Sequence, residues 1–599
     1  MADPRDGIAI VGMAAVFPGA PTLTAFWDNI RDGVDAITDA PAHRWDPVYY
    51  DPDSDGAARF YCRRGGFIDD VSTFDPLAYG VMPSAAEGIE PDQLLSLDAA
   101  AAALRDAGYP GEVPSPDRTG VVLGRGGYIT AGMARVDQYV RTAEQLARSL
   151  RQLVPELDED RIDAVKRSFR DALGPVRADH AIGLVPNLAA SRIANRFDFR
   201  GPAYTLDAAC ASSLVAVDQA CESLRSGKAD LMLAGGVHIC HDATFWAVFT
   251  QLGALSRAQQ IRPFDRRADG LLIGEGVGVL ALERLEDAER RGHRVYAVIR
   301  GVGVSSDGRG ASLMAPRVDG QTLALQRAWA QADLDPTGVG LIEAHGTGTP
   351  AGDAAELRTL RTVFGDQGER IPLGSVKSMI GHAMPAAGAA GLIKAALALH
   401  HRQRPPTLHC DEPHESLDGS RFWTPVEASP WDGPLVAGVN AFGFGGIDAH
   451  VVMEAHDAPT SKRRRARSGA SPSPLALFAA DTPEALARGI AGEEQPTPGG
   501  PCRLALFDPT PKRRAFAATI AARGSRWHGR KDLWVSPEPL LADGGVAFVF
   551  PGFEATFEPR IDDVAAHFDL PLAADRQGTD LEQRGTQLLA VSRILDQAL

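Results

Sequence analysis

One cysteine of this chain stands where a reactive thiol can form. Cys210 lies in Asp-Ala-Ala-Cys-Ala-Ser-Ser, between a β-prone run at 203–206 and a segment with helical apolar spacing. The N-terminus of a helix carries unpaired N–H groups and the positive end of its dipole, and both favour a thiolate over a thiol. The pattern therefore fits a nucleophile with a lowered pKa. A small buried structural thiol fits it as well.

Two histidines lie in segments of similarly small residues. His345 follows a β-prone run in Leu-Ile-Glu-Ala-His-Gly-Thr-Gly-Thr, and His382 lies in Lys-Ser-Met-Ile-Gly-His-Ala-Met-Pro-Ala-Ala-Gly. A histidine among glycines has few neighbours to pack against, which favours a chemical role over a structural one. With Cys210 they form a set in which two imidazoles serve one thiolate nucleophile.

A glycine-rich segment at 438–450 is a fourth element of this set. Its glycines at 443, 445 and 446 let the backbone approach a ligand and aim N–H groups at it. Two competing motifs are weaker. The spacing at 274–278 is GxGxG rather than that of a dinucleotide loop and predicts a strand, and GxSxG, the motif of serine hydrolases, is absent from the sequence.

Composition narrows the classes of protein and partner. The 599 residues include 61 basic and 77 acidic side chains, giving a net charge of −16. This balance argues against nucleic acid or an anionic membrane as the main partner. The sequence shows no signal peptide and no membrane-length apolar run, so a cytoplasmic location is expected. The six cysteines lack CxxC spacing, which predicts neither a disulfide scaffold nor a metal site.

Changes in composition divide the chain into four segments. Residues 1–456 read as one α/β body of short apolar strands alternating with helices, with a charged helical insertion at about 136–173. Residues 457–474 mix Pro, Ser and a basic run, which fits a flexible linker better than a localisation signal. A small α/β piece at 475–542 follows, and 543–599 open a further strand-and-turn unit.

Taken together, the motifs resemble the β-ketoacyl synthase family. They are DAACASS, PFDRRADGLLIGEG, EAHGTGT, KSMIGHAMPAAG and NAFGFGG, spread over roughly residues 5–455 in the family's order. The resemblance implies the thiolase fold, an α/β fold of two pseudo-symmetric βαβ-rich halves in five layers (αβαβα). Residues 475–542 resemble the ketosynthase-to-acyltransferase linker domain of type I polyketide synthases. Residues 543–599 resemble a truncated acyltransferase start without its GHSxG serine.

The resemblance also implies a reaction, the decarboxylative condensation of malonyl-carrier protein with an acyl thioester held on Cys210. The implied helpers fall into four roles: His345 and His382 in catalysis, Lys377 in support, the backbone N–H groups of Cys210 and Phe444 as the oxyanion hole, and Thr347, Thr349 and Phe442 as contacts to phosphopantetheine and substrate. Two positions depart from the family pattern. Ala383 stands where threonine is usual, and Asp448 stands where asparagine is usual.

Cofactor and partners follow from the same resemblance. No cofactor is expected in the chain itself, because the phosphopantetheine arm arrives on an acyl carrier protein. A homodimer working with the other domains of a synthase is implied, with no nucleic-acid or membrane partner.

The subtype is suggested by details of the motif sequences. Features such as DAAC in place of DTAC most resemble iterative synthases of polyunsaturated fatty acids or glycolipids, with an enediyne-type polyene synthase as the alternative. A non-elongating synthase or a chain-length-factor-like binding protein remains the alternative class, although the retained Cys210 argues against both.

Overall fold

The protein is described by a computed structural model that divides into two compact units, Met1–Arg467 and Ser468–Leu599. The structure describes residues 7–456, apart from 57, 110–112, 177–180, 182, 240–242, 311 and 313. It also describes 475–538, apart from 493–499, 508 and 528–532. The predicted linker at 457–474 and the predicted acyltransferase start at 543–599 lie outside the described residues.

One mixed sheet of eleven strands forms the centre of the first unit. Its strands in chain order are β1 (Ile8–Val16), β2 (Thr119–Arg125), β3 (Ala203–Leu206), β4 (Leu231–His238), β5 (Gly276–Arg284), β6 (Ala297–Ser306), β7 (Leu341–Glu343), β8 (Ile371–Gly374), β9 (Phe422–Trp423), β10 (Val436–Gly443) and β11 (Ile447–Glu454). Across the sheet the order is β9-β8-β7-β10-β11-β6-β1-β5-β4-β2-β3. The strand predicted at the GxGxG segment is confirmed as the start of β5.

Helices connect and cover these strands. They are α1 (Leu23–Asp32), α2 (Pro83–Ala86), α3 (Pro91–Asp106), α4 (Ala131–Asp137), α5 (Ala143–Leu153), α6 (Glu159–Leu173), α7 (Leu188–Phe197), α8 (Ser212–Arg225), α9 (Ala243–Gln251), α10 (Leu285–Arg291), α11 (Val318–Ala332), α12 (Pro350–Phe364), α13 (Lys377–Ile380) and α14 (Ala387–His401). The predicted helical insertion at 136–173 is confirmed, because α4, α5 and α6 cover it. A π-helical turn at Gln138–Thr142 connects α4 to α5.

Two halves of the sheet repeat one pattern of strand pairing. In the first half, β2 runs parallel to β3 and β4, and β5 runs antiparallel to β4 and β1. In the second half, β7 runs parallel to β8 and β10, and β11 runs antiparallel to β10 and β6. The halves join where β1 pairs antiparallel with β6. This is the pseudo-symmetry expected from the resemblance.

Successive side chains of a strand point to opposite faces of the sheet, so both faces of each half-sheet pack against helices. This gives three helical layers around the two half-sheets. In β1, Ile8 and Ile10 face the core that holds α8 and α14, whereas Ala9 and Val11 face the core that holds α3 and α7. In the second half, α11 and α12 cover the outer face. The order is therefore α, β, α, β, α, and the thiolase fold is confirmed. Strand β3 leads into α8, β7 leads into the loop before α12, and residues of both connections line one cavity.

The second unit is a small antiparallel sheet with two helices. Strand β12 (Leu475–Ala480) pairs with β13 (Cys502–Phe507), which pairs with β14 (Leu533–Ser536). Helix α15 (Pro483–Ala491) begins after Thr482, whose side chain accepts the N–H of Ala485, and α16 (Pro511–Ala521) follows β13. Among the residues that the structure describes, no helix is both long and apolar enough to cross a membrane.

Candidate active site

The turn between β3 and α8 presents Cys210 to a cavity. Ala209, the residue before the cysteine, has a φ of 48°, a left-handed conformation that is strained for a residue with a side chain. Two side chains hold the turn in this shape. Asp207 accepts the N–H groups of Ala209 and Gly127 at 2.9 and 2.8 Å. Ser212 accepts the N–H of Ala208 at 2.8 Å and donates to the carbonyl of Ala209 at 2.6 Å.

His382 is held against the cysteine by backbone contacts on both sides. Its N–H donates to the carbonyl of Leu272 at 2.7 Å, and its carbonyl accepts the N–H of Gly274 at 2.9 Å. The ring atom Nε2 lies 3.1 Å from Cys210 Sγ, and Nδ1 accepts the N–H of Met384 at 3.2 Å. Since Nδ1 acts as an acceptor, the neutral ring carries its proton on Nε2 and directs it at the sulfur.

His345 reaches the same cavity from the loop after β7. Its ring lies 5.5 Å from that of His382, between ring centres, at an angle of 83°. Glu356 on α12 accepts the N–H groups of His345 and Gly346 at 2.7 and 2.8 Å. The Nδ1 atom of His345 is buried and finds no hydrogen-bond partner within the described part of the chain. The structure thus brings Cys210, His345 and His382 together from three separate loops.

A buried polar chain supports this loop, and the sequence analysis missed it. Asn440 donates to Glu356 at 2.8 Å, and the Nδ1 atom of His450 contacts the Asn440 carbonyl oxygen at 2.6 Å. Trp329 donates to the other ring nitrogen of His450 at 3.1 Å. A signal for Glu356 existed in the sequence, because an isolated acid on the apolar face of a predicted helix needs a buried partner. Asn440 and His450 face each other only through strand register.

Several groups act on the sulfur of Cys210. Burial raises the pKa of this thiol to about 11, while the Lys377 ammonium and the backbone N–H groups of Phe444 and Cys210 lower it. The prediction of a lowered pKa at the helix N-terminus is therefore wrong, because the loss of hydration outweighs the dipole and the nearby charge. At neutral pH the resting side chain is a thiol surrounded by donors that favour its ionised form.

Both histidines are neutral in this site. Burial and the positive charge of Lys377 hold the pKa of His345 and of His382 well below the ordinary value. Lys377 is itself only 3% exposed, so its ammonium group is buried rather than solvated at the surface. Burial lowers the pKa of Lys377, whereas the carboxylates of Glu343 and Glu356 raise it. Neutral imidazoles beside a buried cation are suited to donating hydrogen bonds to a developing anion.

A cavity of about 320 Å³ opens onto these groups. Cys210, His345 and His382 lie in its wall with Thr347 and Thr349, whose hydroxyl oxygens are 2.9 Å apart. Phe442 and Phe444 also line it. Phe442 is buried 5.7 Å from the His345 ring, whereas Phe444 is 39% exposed and stacks on Phe249. Every site residue predicted from the sequence except Lys377 thus lies in the wall of one cavity.

The cavity wall carries a pair of hydroxyl groups. Thr347 and Thr349 offer hydrogen-bond donors and acceptors there. Within the described residues, no group of three or more His, Cys, Asp or Glu side chains is arranged to hold a metal.

Comparisons with known proteins agree with this geometry. The N-terminal domain of beta-ketoacyl synthase matches residues 5–288, its C-terminal domain matches 296–411, and the ketoacyl-synthetase C-terminal extension matches 413–498. One polyunsaturated fatty acid synthase polypeptide of Thraustochytrium sp. is 35% identical over 79% of this chain and 17% of its own length. The spectinabilin polyketide synthase system protein NorA' of Streptomyces orinoci is 38% identical over 92% of this chain and 15% of its own length.

Two solved structures share the fold. The oxazolomycin ketosynthase domain OzmH KS7 of Streptomyces albus JA3453 is 30% identical, with a TM-score of 0.66, over 88% of this chain and 90% of that chain. The PfaC keto synthase–chain length factor is 34% identical, with a TM-score of 0.68, over 79% of this chain and 50% of that chain. The chain spans less than a fifth of the length of the two curated relatives named above. Motifs, fold and relatives agree, and this chain belongs to the β-ketoacyl synthase family.

Proposed function

We propose that this chain catalyses the decarboxylative condensation of malonyl-carrier protein with an acyl group held on Cys210. The observation that carries the proposal is the contact of 3.1 Å between His382 Nε2 and Cys210 Sγ, with the His345 ring beside it in the same cavity. A nucleophilic thiol and two neutral imidazole donors are what acyl transfer and enolate formation require.

The first step is the transfer of the acyl group to Cys210. The sulfur attacks the carbonyl carbon of the incoming thioester, and the C–S bond to phosphopantetheine breaks. The cysteine proton leaves with the pantetheine sulfur, which restores a thiol on the carrier. The backbone N–H groups of Cys210 and Phe444, which already face the sulfur, support an oxyanion hole for the tetrahedral intermediate.

The second step forms the carbon–carbon bond. Malonyl-carrier protein enters, and the bond between its carboxylate carbon and its α-carbon breaks. The carboxylate leaves as CO2, and the electron pair of the broken bond forms an enolate. His345 and His382 donate hydrogen bonds to the enolate oxygen. The enolate carbon attacks the acyl carbonyl, and the C–S bond to Cys210 breaks with its electron pair on the sulfur. A proton from water then restores the Cys210 thiol, and a β-ketoacyl thioester remains on the carrier. Loss of one such donor typically reduces the rate by about 100-fold or more.

Other residues position these groups. Lys377 supplies a buried positive charge that favours the thiolate and keeps both imidazoles neutral. Thr347 and Thr349 contact the phosphopantetheine arm through their paired hydroxyls, and Phe442 forms an apolar wall against substrate. The same wall continues to Phe249, whose apolar ring suits contact with an acyl chain.

The partners follow from this chemistry. We infer an acyl carrier protein that delivers both substrates and a homodimer formed through residues 1–456, with 475–542 as a linker domain and 543–599 as the start of an acyltransferase. A half-buried edge strand supports the dimer, because β3 ends the sheet and has one neighbouring strand within the described residues. The names of the relatives support products of the polyketide or fatty-acyl type made within a larger synthase.

Intact-protein mass spectrometry after incubation with an acyl thioester tests the proposal. The wild type gains one acyl mass, and Cys210→Ala gains none and forms no β-ketoacyl product. Cys221→Ala is the matched control, because Cys221 is fully buried on α8, the helix that follows Cys210. Its thiol is also un-ionised at neutral pH, with a pKa raised to about 12. Equal product from Cys210→Ala and wild type would exclude condensation on Cys210. Loading without CO2 release from malonyl-carrier protein would instead indicate a non-elongating synthase.

A further inference from the structure

Asp448, which stands where the family usually has asparagine, lies beside the catalytic loop. It is the second residue of β11, opposite Phe442 on β10 and Ser305 on β6. Its side chain is 2% exposed and lies in the wall of the active-site cavity together with Asp307. A charged side chain in such a position needs a partner that compensates for the lost hydration.

The partner that Asp448 meets is another carboxyl group. The carboxyl groups of Asp307 and Asp448 interact, and each shifts the pKa of the other. Both converge on Gly320, where a Cβ would lie 2.3 Å from Asp307 Oδ1 and 2.7 Å from Asp448 Oδ2. Neither of these two oxygens has a hydrogen-bond donor among the described residues. Two ionised carboxylates only accept, so a hydrogen bond between them requires a shared proton.

The charged surroundings of the Asp307–Asp448 pair do not remove that requirement. The backbone N–H of Arg317 donates to Asp307 Oδ2 at 3.2 Å, and its guanidinium binds the Asp307 carbonyl at 3.1 Å and the exposed Asp319 carboxylate at 3.0 Å. Asp319 raises the pKa of Asp307, while Arg317 lowers it. Burial and the neighbouring Asp307 raise the pKa of Asp448 to about 8, so this group is protonated at neutral pH.

The pair is attached to the loop that carries the Phe444 N–H. The N–H of Asp307 donates to the carbonyl of Gly446 at 2.8 Å, and the N–H of Gly446 donates to the carbonyl of Gly443 at 3.0 Å. A Cβ on Gly446 would lie 2.6 Å from the Asp307 Cβ, so loop and pair are in tight contact. The Phe444 N–H that this turn presents faces the Cys210 sulfur.

We propose that one shared proton between Asp307 and Asp448 locks the turn at 443–446 in the position that aims the Phe444 N–H at Cys210. Loss of the proton places two buried negative charges in contact, and their repulsion separates β11 from the end of β6. The turn then shifts and the oxyanion donor is lost. Asp448 is in this sense a positioning residue, and it makes the site sensitive to alkaline pH. The inference rests on the proposed function only for its effect on rate.

Hydrogen exchange of peptides spanning 440–450 tests the inference without depending on condensation. Exchange is measured at about pH 7 and about pH 9.5, on either side of the titration of the pair, and corrected for intrinsic rates. In the wild type, protection of this segment should fall by about tenfold between the two values. In Asp448→Asn, whose amide donates to Asp307 at any pH, protection should stay constant. Asp117→Asn, at a carboxylate 71% exposed just before β2, is the control and should follow the wild type.

Rates of Cys210 acylation measured on the same proteins provide the second comparison. The ratio of Asp448→Asn to wild type should rise by about tenfold between the two pH values. Asp307→Asn should remove the same pH response. Combining Asp307→Asn with Asp448→Asn should change the pH response no further than either substitution alone, because each one abolishes the charge pair. Identical pH responses in wild type and Asp448→Asn would overturn the inference. If exchange responds as expected but no β-ketoacyl product forms at any pH, the proposed function fails and this inference stands.

Discussion

His382 Nε2 lies 3.1 Å from Cys210 Sγ and points a proton at it, because Nδ1 of the same ring is occupied by the N–H of Met384. In this tautomer the imidazole is a hydrogen-bond donor to the sulfur rather than a base that removes its proton. The same N–H is then available to an enolate oxygen once the sulfur carries an acyl group. One fixed tautomer thus serves both steps of the proposed reaction.

Replacing His345 with alanine should separate the two steps. His345 faces the cavity beside His382, but the contact of 3.1 Å to the sulfur belongs to His382. We therefore expect CO2 release from malonyl-carrier protein to fall by about 100-fold while Cys210 acylation changes only a few-fold. Radiolabelled CO2 release and intact mass measure the two steps. His43→Ala, at an exposed ring, is the control. Equal losses in both steps would contradict a role of His345 in decarboxylation.

Removing the charge of Lys377 should make Cys210 harder to ionise. The ammonium lowers the pKa of a thiol that burial has raised to about 11, so Lys377→Met moves this pKa higher still. At a fixed pH the thiolate fraction, and with it the rate of iodoacetamide alkylation at Cys210, falls about tenfold for each unit of this rise. Peptide mapping of the alkylated protein at a series of pH values measures this rate. Lys228→Met, at an exposed lysine, should leave the profile in place, and an unmoved profile in Lys377→Met would refute the argument.

Ser212→Ala should loosen the strained turn before Cys210. The hydroxyl of Ser212 accepts one backbone N–H and donates to one carbonyl in the turn, and its side chain is fully buried. Leaving these groups without partners costs about 1–3 kcal/mol of unfolding free energy and should slow Cys210 acylation. Urea unfolding and intact mass check the two effects. Ser226→Ala, which removes an exposed hydroxyl at the other end of α8, should show neither.

Buried neutral histidines should make the protein sensitive to acid. Burial holds the pKa of His450 at about 3, below the ordinary 6.5, because its ring lies between Asn440 and Trp329. The neutral His450 ring makes its full contribution to the free energy of unfolding above pH 6.5, and this contribution is lost as the pH falls towards 3. The slope is about 1.4 kcal/mol per pH unit for each such histidine.

His450→Gln should reduce this slope, since glutamine can donate to Asn440 and accept from Trp329 without titrating. The measurement is the unfolding free energy in urea at several values between about pH 7 and pH 5. His43→Gln, at a side chain 68% exposed, is the matched control and should keep the wild-type slope. A slope in His450→Gln equal to that of the wild type would show that His450 does not titrate in this way.

Much of the candidate site was predictable because its residues lie in loops with local sequence signatures. Cys210 and His345 each follow a β-prone run, and all three residues lie in segments of small residues, so a chemical role could be inferred directly from the sequence. The α/β class followed from the spacing of apolar residues in the same way. These are properties of short windows, where neighbours in sequence are neighbours in space.

Other features arise only when distant segments meet. The sulfur's raised pKa, the Asn440–His450 contact and the Asp307–Asp448 pair each depend on burial or on strand register across the sheet. The helix N-terminus near Cys210 indicated one effect that lowers the pKa of the thiol. The larger effect raises this pKa and comes from the surrounding protein, which removes water from the sulfur.

By itself the sequence determined the family and the fold class, and it singled out the three side chains that we propose to react. The tertiary structure decided how those groups are charged and aimed, including the proton on His382 Nε2 and the neutral state of Cys210 at rest. The reason is physical. Residue types and local spacing specify which chemical groups are present, whereas ionisation and tautomer depend on hydration and on partners that the folded chain brings from far along the sequence.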